Sequence, residues 1–356
     1  MNAIIAAALH EMRERVVTAQ RARQPLRLRG AGTKDFYGER VAGEPFDLRA
    51  YRGVIDYEPS ELVLTARCGT PLSEIERALA ERDQFLAFEP PAFDGDPTIG
   101  GVIAAGLSGP RRMYVGAARD FVLGASLLGA DGELLRFGGQ VMKNVAGFDV
   151  SRLLCGSMGI LGVITEVSLK VLPRPRAEET LRLTMAAREA VEAFNRWAGQ
   201  PLPISGAAWA EGSVWLRLSG AAPAVRSARE HIGGERVEPA LAEEWWNSMR
   251  HCRHPLFSST TVWRLSVPAA TPPLDLPGEP LIDWGGALRW YAGELGHVDV
   301  RKVASDVGGS ALCWRGPALN GRFHPLQPAV ASIHRRLKLR FDPNGIFNAG
   351  RLIADL

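Results

Sequence analysis

Cysteine is scarce in this sequence, and its spacing excludes several classes of site. The 356 residues contain four cysteines, which are widely separated: Cys68, Cys155, Cys252 and Cys313. No Cys-x-x-Cys pair is present, so the chain lacks the cysteine pattern of a structural zinc ion or an iron–sulfur cluster. We therefore expect no metal site in this chain, and we expect any iron–sulfur cluster that works with it to belong to another chain.

Long apolar runs and a strong charge imbalance are also absent. No stretch of about 18 uncharged apolar residues occurs, which argues against a transmembrane helix. The N-terminal apolar segment lacks the basic region and the cleavage pattern of a secretory leader. The formal net charge of +3 is too small to indicate a nucleic-acid-binding protein. We expect a cytoplasmic protein with no direct membrane span, in which any membrane association comes through partner proteins.

Tryptophan is missing from the first half of the chain. All nine tryptophans lie beyond residue 175, and Pro173 and Pro175 end a strand-like run where the composition changes. We predict a first domain over residues 1–175, a second over 176–325, and a C-terminal helix and tail over 326–356 that return to the first domain. The mixture of strand-like and helical stretches predicts an α+β fold with an antiparallel sheet in the second domain.

One hairpin is predicted within the first domain. Residues 121–137 form two apolar runs joined at Asp131-Gly132. This dipeptide tolerates the positive φ values of a type I′ turn, so we expect two antiparallel strands connected by that turn.

Glycine is abundant, with 38 residues, and it forms three clusters. Backbone N–H groups of the turn at residues 29–34 can form a nest for an anion such as phosphate. Asp35 stands where a dinucleotide-binding fingerprint requires a third glycine, so this turn is not a Rossmann motif. In the second cluster, Gly101 and Gly106 have the spacing of a Walker A loop. Leu107 replaces the lysine of that loop, which argues against an NTPase.

The third cluster, Gly156 to Gly162, leads into a strand whose main chain is suited to hydrogen bonds with a flat ring. Each cluster alone is also typical of an ordinary turn. Together, in this order and spacing, the three clusters resemble the flavin domain of the vanillyl-alcohol oxidase / PCMH family. The matching segments include residues 115–120 and the C-terminal segment 341–351, and the resemblance covers about half of the chain closely.

This resemblance implies a two-lobed, PCMH-type FAD-binding domain with FAD between its lobes, and an α+β cap domain over the isoalloxazine ring. No histidine occurs from Gly100 to Arg119 that could carry a covalent flavin, so we expect FAD to be bound noncovalently. The implied FAD-binding positions lie in the glycine clusters and the neighbouring segments: Arg29, Gly30, Ala31, Gly32, Thr33, Lys34, Pro97, Thr98, Ile99, Gly100, Gly101, Gly106, Ser108, Gly109, Gly116, Arg119, Asp120, Asn144, Gly159, Gly162, Val163, Ile164 and Asn348.

Two further segments, residues 107–112 and 141–149, resemble the FAD-binding subunits of bacterial glycolate oxidases. The resemblance implies oxidation of glycolate or a related small 2-hydroxy acid to the 2-oxo acid. It also implies two partners, a homologous FAD subunit and an iron–sulfur subunit, to which electrons pass. Such a site needs a cation for the substrate carboxylate and a base for the hydroxyl proton. The candidate catalytic cations are Arg111, Lys143 and Arg315, with Arg112 as a further cation near the flavin.

The base is harder to identify. Related 2-hydroxy-acid dehydrogenases carry an H-x-G-D-G-N-x-H stretch and a later E-H-G, which supply metal ligands and a catalytic histidine. Neither motif is present, and residues 309–316 contain no Glu or His. His297 and His324 are the remaining bases of interest, although a lone histidine is more often structural. His251 and His254 have no accompanying carboxylate pattern and do not predict a metal site.

Several interpretations of the function stay open at this point. The leading one is an FAD-binding subunit of a glycolate oxidase complex, and the missing base also fits a non-catalytic flavin subunit that supports a homologous catalytic partner. Another is a stand-alone FAD-dependent alcohol or sugar oxidase with a tryptophan-lined pocket, although tryptophans are more often core or interface residues. The last is a flavin-fold scaffold without FAD.

Overall fold

The computed structural model describes residues 3–139, 148–295, 298–318, 321–354 and 356. Two short 3-10 helices lie at Pro255–Ser258 and Trp284–Gly286. The α-helices are α1 (Ala3–Ala22), α2 (Leu72–Ala80), α3 (Ile99–Ala105), α4 (Arg112–Val115), α5 (Ala118–Phe121), α6 (Val150–Leu154), α7 (Ala187–Ala198), α8 (Ala222–Ile232), α9 (Pro239–Arg250), α10 (Val300–Asp306) and α11 (Pro328–Phe341). In the described ranges, none of these helices has the length and hydropathy needed to cross a bilayer.

The strands form two larger sheets and two short pairs. Those of the first half are β1 (Leu26–Arg29), β2 (Glu44–Asp47), β3 (Val54–Glu58), β4 (Val63–Arg67), β5 (Gln84–Phe85), β6 (Val122–Leu128), β7 (Leu134–Gly138), β8 (Val163–Lys170) and β9 (Leu172–Pro173). Those of the second half are β10 (Ala177–Thr184), β11 (Ile204–Ala210), β12 (Ser213–Gly220), β13 (Glu235–Arg236), β14 (Val262–Ser266), β15 (Leu281–Asp283), β16 (Leu288–Ala292) and β17 (Ser310–Arg315).

An antiparallel sheet in the order β3-β4-β8-β6-β7 forms the core of the first half. Its central strand β8 is buried along most of its length, which shows that both faces of the strand are covered. Apolar residues of α2 and α3 pack on this sheet, including Ile75, Leu79, Val102 and Ile103. Because α3 contains Gly100 and Gly101 of the second glycine cluster, packing of the helix fixes the position of that cluster.

A second lobe lies beside this sheet and holds the first glycine cluster. The parallel pair β1–β2 packs under α1, through a buried group that includes Val16, Leu26 and Phe46. Phe347 of the C-terminal tail joins the same group and bridges to Leu26. The chain after β1 therefore leaves the lobe as a turn that faces the five-stranded sheet.

The eight-stranded sheet of the second half, termed the cap sheet, has the order β13-β10-β12-β11-β15-β16-β14-β17. Successive residues of a strand point to opposite faces. Trp209 and Ile282 lie on the face covered by α7 and α8, where they pack with Phe194. Ala208 and Leu281 lie on the other face, which packs against residues of the first half. The tryptophans thus contribute both to the core of the cap and to its contact with the first half.

The hairpin is confirmed, but its turn is not the one predicted. Strands β6 and β7 pair in antiparallel register from Gly124 with Gly138 to Leu128 with Leu134. Gly132 has a φ of 81°, whereas Asp131 is not among the residues with positive φ, so the turn is not type I′. The Gly129 N–H donates to the Glu133 carbonyl at 2.9 Å and closes a longer loop. The domain boundaries at residues 175 and 325 stay predictions; the first lies between β9 and β10.

The C-terminal helix α11 anchors the tail through one buried ion pair. Lys338 donates to Asp342 at 2.6 Å and to the carbonyls of Ile160 and Phe347 at 2.7 and 2.8 Å. Asp342 in turn accepts the N–H groups of Ile346 and Phe347. These bonds hold the tail against the first half of the chain just before Asn348.

Candidate functional site

A cavity of about 380 Å³ lies between the β1–β2 lobe and the five-stranded sheet. Three glycine-containing segments and the tail meet around it. The predicted FAD-binding residues that line it are Arg29, Gly30, Ala31, Gly32, Thr33, Lys34, Pro97, Thr98, Gly100, Gly101, Gly159, Gly162, Ile164 and Asn348. Residues separated by up to about 320 positions in the chain are therefore brought to one site by the packing of the tail.

The first two glycine segments touch each other, and this contact requires glycine. A Cβ at Gly30 would lie 2.1 Å from the Thr98 hydroxyl oxygen. Thr98 is itself fixed, because its hydroxyl caps α3 by accepting the Gly101 N–H at 3.3 Å. Gly32 has a φ of 76°, and the Arg29 guanidinium lies 2.2 Å from the position of a Cβ there. The main chain of the turn can thus approach a ligand without intervening side chains.

Lys34 is the buried cation of this cavity. Its side chain donates to the Thr33 hydroxyl at 3.3 Å and lies over the Phe93 ring at 5.4 Å. Burial lowers the pKa of Lys34 to about 8. Arg29 is less available, because it forms an ion pair with Asp35 at 2.9 Å. The same ion pair offsets the negative charge of Asp35, which would otherwise repel a phosphate.

Asn348 joins three segments of the cavity wall. Its side-chain oxygen accepts the Leu28 N–H at 2.8 Å, and its side-chain nitrogen donates to the Met158 carbonyl at 2.8 Å. A Cβ at Gly159 would lie 2.9 Å from that nitrogen, which explains the glycine.

Arg351 lines the cavity and was not among the predicted FAD-binding residues. Its guanidinium donates to the carbonyls of Lys34, Asp35, Tyr37 and Glu39 at 2.6 to 3.1 Å and so fixes the turn that carries Lys34. The terminal Asn-Ala-Gly-Arg motif was the available signal. Other unpredicted lining residues are Arg27, Leu28, Asp35, Arg40, Val41, Leu48, Cys68, Ala104, Ala105 and Met158.

Other predicted FAD-binding residues do not line this cavity. They are Ile99, Gly106, Ser108, Gly109, Gly116, Arg119, Asp120 and Val163. Ile99 and Val163 are core residues, and Gly106 ends α3 with a φ of 64°. The Ser108 hydroxyl accepts the Ala118 N–H at 2.9 Å, and Asp120 accepts the Ala117 N–H at 2.8 Å. These polar groups shape the loop between α3 and α5. Lys143 and Asn144 lie outside the described residues.

Arg111 is not a free cation for a substrate, which corrects its catalytic assignment. Its buried guanidinium pairs with Glu89 at 3.2 Å and with Glu178 at 2.7 Å, and it donates to Ser219 at 3.2 Å. Arg217 of the cap sheet pairs with the same Glu89 at 2.8 Å. Two arginines and two carboxylates therefore form a network of ion pairs between the first half and the cap. Within this network the charge of Arg111 is neutralised by Glu89 and Glu178.

Arg315 also differs from its predicted role. It is exposed, and its guanidinium donates to the carbonyls of Phe257 and Ser259. Arg315 ends β17, beyond an irregularity in the pairing of that strand with β14, and the two carbonyls hold its guanidinium there. The catalytic assignment of Arg315 is corrected on this ground.

Aromatic residues fill the contact between the cap sheet and the first half. We term the group Phe93, Leu107, Met158, Trp284, Trp290 and Trp314 the interdomain cluster. Trp290 and Trp314 meet edge to face at 5.2 Å, and the Trp284 indole donates to the Gly109 carbonyl at 3.0 Å. Phe93 extends the cluster to Lys34 of the cavity. The cluster therefore adjoins the cavity on the side of the cap.

Two arginines enter this cluster, one from each side. Arg112 of α4 lies 4.2 Å from the Trp284 ring centre, and Arg264 of β14 lies 5.0 Å from the same centre and 5.7 Å from that of Trp290. Burial lowers the pKa of both groups, and the charge of Arg264 contributes to the shift of Arg112. Among the ion pairs and side-chain hydrogen bonds of the described residues, neither guanidinium takes part.

Three candidate histidines that the structure describes, His251, His254 and His324, have structural partners. His251 accepts the Ala92 N–H at 3.1 Å, and burial lowers its pKa to about 4. His254 accepts the Leu256 N–H, and His324 accepts the Ala311 N–H. His297 lies outside the described residues. The described part of the chain contains no group of three or more His, Cys, Asp or Glu residues suited to a metal ion.

Comparison with known proteins identifies the family. Residues 3–138 match the family model of the FAD binding domain. The chain is 46% identical to glycolate oxidase subunit GlcE of Escherichia coli (strain K12) over 344 residues, which cover 96% of this chain and 97% of that protein. The chain belongs to the GlcE family. The predicted resemblance is thereby confirmed, and FAD is the cofactor of the GlcE-type chain.

More distant relatives agree with the fold of this GlcE-type chain. Glycolate oxidase subunit GlcD of Bacillus subtilis (strain 168) is 31% identical over 183 residues, which cover 51% of this chain and 39% of that protein. The solved structure of alkyldihydroxyacetonephosphate synthase matches 95% of this chain and 75% of its own with a TM-score of 0.67 at 15% identity. The predicted two-lobed flavin domain with an α+β cap is confirmed.

Proposed function

We propose that this chain is the FAD-binding subunit of a glycolate oxidase complex, which oxidises glycolate or a related small 2-hydroxy acid to the 2-oxo acid. The near full-length similarity to GlcE carries this proposal. The cavity supports it, because a glycine-lined turn with one buried lysine fits an anionic dinucleotide. We further propose a homologous flavin subunit and an iron–sulfur subunit as partners, and a cytoplasmic location with any membrane contact made through them.

The residues of the cavity have distinct roles in this proposal. Main-chain N–H groups of residues 30–34 and Lys34 bind the pyrophosphate, and Thr98 to Gly101 form the opposite wall. Asn348 and Arg351 hold the turn in its binding conformation. The interdomain cluster excludes water from the side of the cap. Bound noncovalently in this cavity, FAD would supply the two-electron acceptor for the hydride of the substrate C–H bond.

The test is made on the purified chain, alone and together with a GlcD-type subunit. We expect a flavin absorbance spectrum, release of the yellow colour into the supernatant on acid precipitation, and glycolate-dependent reduction of an artificial acceptor. A colourless protein or a yellow pellet would contradict the cofactor assignment. Absence of turnover in both preparations would contradict the glycolate oxidase assignment.

A supporting, non-catalytic role is the second candidate. It is favoured by one observation: β17, in the region where relatives carry E-H-G, contains neither Glu nor His. This role predicts turnover only when the GlcD-type subunit is present, whereas turnover by the isolated chain would rule it out.

A further inference from the structure

The interdomain cluster contains two half-buried guanidinium groups that form no ion pair among the described residues. Arg112 and Arg264 both lie over the Trp284 ring, at 4.2 and 5.0 Å from its centre. A guanidinium that is partly removed from water and has no ion pair is costly, so such a group often marks a place where a ligand supplies the opposite charge. The pair of arginines therefore indicates a place where an anion binds.

Strand alternation directs Arg264 to this place. In β14, Val262 belongs to the group that faces the first half, and Leu265 belongs to the group behind the sheet. Arg264 is two positions from Val262 and so points to the first half. Arg112 reaches the same ring from α4, which belongs to the first half. The two charges thus converge from both sides of the contact.

Two carboxyl groups act on these charges without forming an ion pair with them: Asp120 acts on Arg112, and Asp283 acts on Arg264. Asp120 lies 4.0 Å from Arg119 instead. Asp283 accepts the Trp284 N–H at 2.7 Å and forms no ion pair within the described ranges. Burial raises the pKa of Asp283 to about 7, so near neutral pH only part of the population carries a negative charge. Since no carboxylate of the described residues pairs with the two arginines, an anion from outside the chain can take that place.

The surroundings limit what that anion can be. Trp290, Trp314 and Phe93 wall the site with flat apolar surfaces, and Tyr37 packs on Trp314 at 5.3 Å. The Tyr37 hydroxyl has no hydrogen-bond partner in the part of the chain that the structure describes, and the charge of Arg264 lowers the pKa of Tyr37 against the effect of burial. A guanidinium binds a carboxylate with two parallel hydrogen bonds, and stacking on tryptophan keeps its donor edges available. The Tyr37 hydroxyl can form a hydrogen bond with a polar group of the ligand next to that carboxylate.

We propose that Arg112 and Arg264 bind the carboxylate of a small organic acid at the interdomain cluster, so that this chain holds its own substrate. The inference rests on the proposed function for the identity of that acid, a 2-hydroxy acid. It makes Arg264 and Arg112 specificity-determining residues, and it places the substrate beside the cavity rather than on a partner subunit.

The experiment measures binding without turnover. Acetate, which has the carboxylate but no oxidisable hydroxyl, is titrated into the FAD-loaded full chain while flavin absorbance and tryptophan fluorescence are recorded. Acetamide is the uncharged control ligand. We expect saturable acetate binding, at least tenfold weaker acetamide binding, and at least a tenfold loss of acetate affinity in Arg264→Met and Arg112→Met. Arg264→Lys, which keeps the charge without the paired donors, should lose less.

Arg182→Met is the matched control variant, because Arg182 also lies over a tryptophan, Trp215 at 6.0 Å, but on the exposed surface of the cap sheet. We expect its acetate affinity to equal that of the wild type. Far-UV circular dichroism and the flavin-to-protein ratio check that each variant is folded, and Arg264→Lys and Arg112→Gln serve if a methionine variant is not. Acetate affinity within twofold of the wild type in variants at both arginines, or equal binding of acetamide, would overturn the proposal.

Failure of this proposal is distinguishable from failure of the proposed function. If acetate binding depends on the arginines but glycolate never reduces the flavin, the glycolate assignment fails and the carboxylate site stands. If glycolate reduces the flavin with an unchanged concentration dependence in variants at both arginines, the carboxylate site fails and the glycolate assignment stands.

Discussion

The flavin cavity is lined largely by main chain from glycine-rich turns, whereas the interdomain cluster is lined by side chains from separate strands and helices. In the cavity, the decisive feature is the missing Cβ, as at Gly30 against Thr98. In the cluster, the decisive feature is which face of a strand a residue occupies, as for Arg264 in β14. The first kind of site depends on local backbone geometry, and the second depends on tertiary packing. Each variant below is chosen to affect one of the two regions and spare the other.

The largest effect is expected at the ion pair that anchors the tail under the cavity. Lys338→Met removes the partner of the buried Asp342 and should cost about 3–5 kcal/mol of unfolding free energy, because an uncompensated buried charge remains. The loss of tail anchoring should also weaken FAD binding. Denaturant unfolding followed by circular dichroism measures the first effect, and flavin titration the second.

Lys302→Met is the matched control for that variant. Lys302 and Asp306 have the same spacing in the chain and a similar distance of 2.7 Å, but both side chains are exposed. We expect almost no change in stability, since exposed ion pairs contribute little. Equal destabilisation by the two variants would show that burial is not what makes the tail anchor important.

The next effect tests whether the cavity depends on the absence of a Cβ. Gly30→Ala should disrupt the contact with Thr98 at a cost of about 1–3 kcal/mol, and the protein should be purified with little FAD. Gly199→Ala is the control, because a Cβ there would meet only one atom, at 3.6 Å. The flavin-to-protein ratio is the readout. A fully loaded Gly30→Ala protein would show that the turn has room to move.

The charge of the cavity predicts a pH dependence. Below pH 8 the ammonium group of Lys34 is charged and attracts the anionic cofactor, and above it the group loses its proton because burial has lowered its pKa to about 8. FAD affinity should therefore fall as pH rises through about 8. The stability of the FAD-free protein should change in the opposite direction, rising from pH 8 towards about 10, because the unfolded chain binds the proton more tightly there.

Substitutions at Lys34 isolate this charge. Lys34→Met should weaken FAD binding at pH 7 by about 1.5–3 kcal/mol and remove the pH dependence near 8. Lys34→Arg should retain the affinity above pH 8, because a guanidinium keeps its proton. Fluorescence titration of FAD between pH 6 and 10 measures both, and an unchanged pH profile in Lys34→Met would assign the dependence to another group.

The smallest effect is expected in the interdomain cluster. Trp284→Phe weakens the contact with both arginines and removes the hydrogen bond to the Gly109 carbonyl. Acetate affinity should fall about two- to fivefold, as expected for a cation–π contribution of about 0.5–1 kcal/mol, while FAD content stays that of the wild type. If Trp284→Phe lost FAD and kept its acetate affinity, the flavin cavity and the interdomain cluster would not be separate binding regions.

The glycine segments that line the cavity could be recognised in the sequence because their signals are local. A turn with Gly30 and Gly32, a second loop with Gly100 and Gly101, and a third before β8 can each be recognised within a few residues. The prediction that these three segments lie together came from the resemblance to a family and not from their spacing alone. The contact of Gly30 with Thr98 then explains why the order of the loops matters.

The interdomain cluster could not be predicted in the same way. Arg112, Arg264 and Trp284 are brought together by the sheet order β15-β16-β14 and by contact across the cap. The sequence did not distinguish two neighbouring arginines. Arg111 forms ion pairs with Glu89 and Glu178, whereas Arg112 forms no ion pair among the described residues. In β17, Arg315 is exposed, whereas the preceding residue, Trp314, belongs to the interdomain cluster.

The most direct test of the account is anaerobic titration of the purified, FAD-loaded chain with glycolate while its flavin absorbance is followed. If the chain holds both the cofactor and the substrate carboxylate, the absorbance should bleach in the absence of any partner, and Arg264→Met should require at least tenfold more glycolate for the same bleaching. A flavin that stays oxidised at saturating glycolate would contradict the account, and so would bleaching that is unchanged in variants at both Arg112 and Arg264.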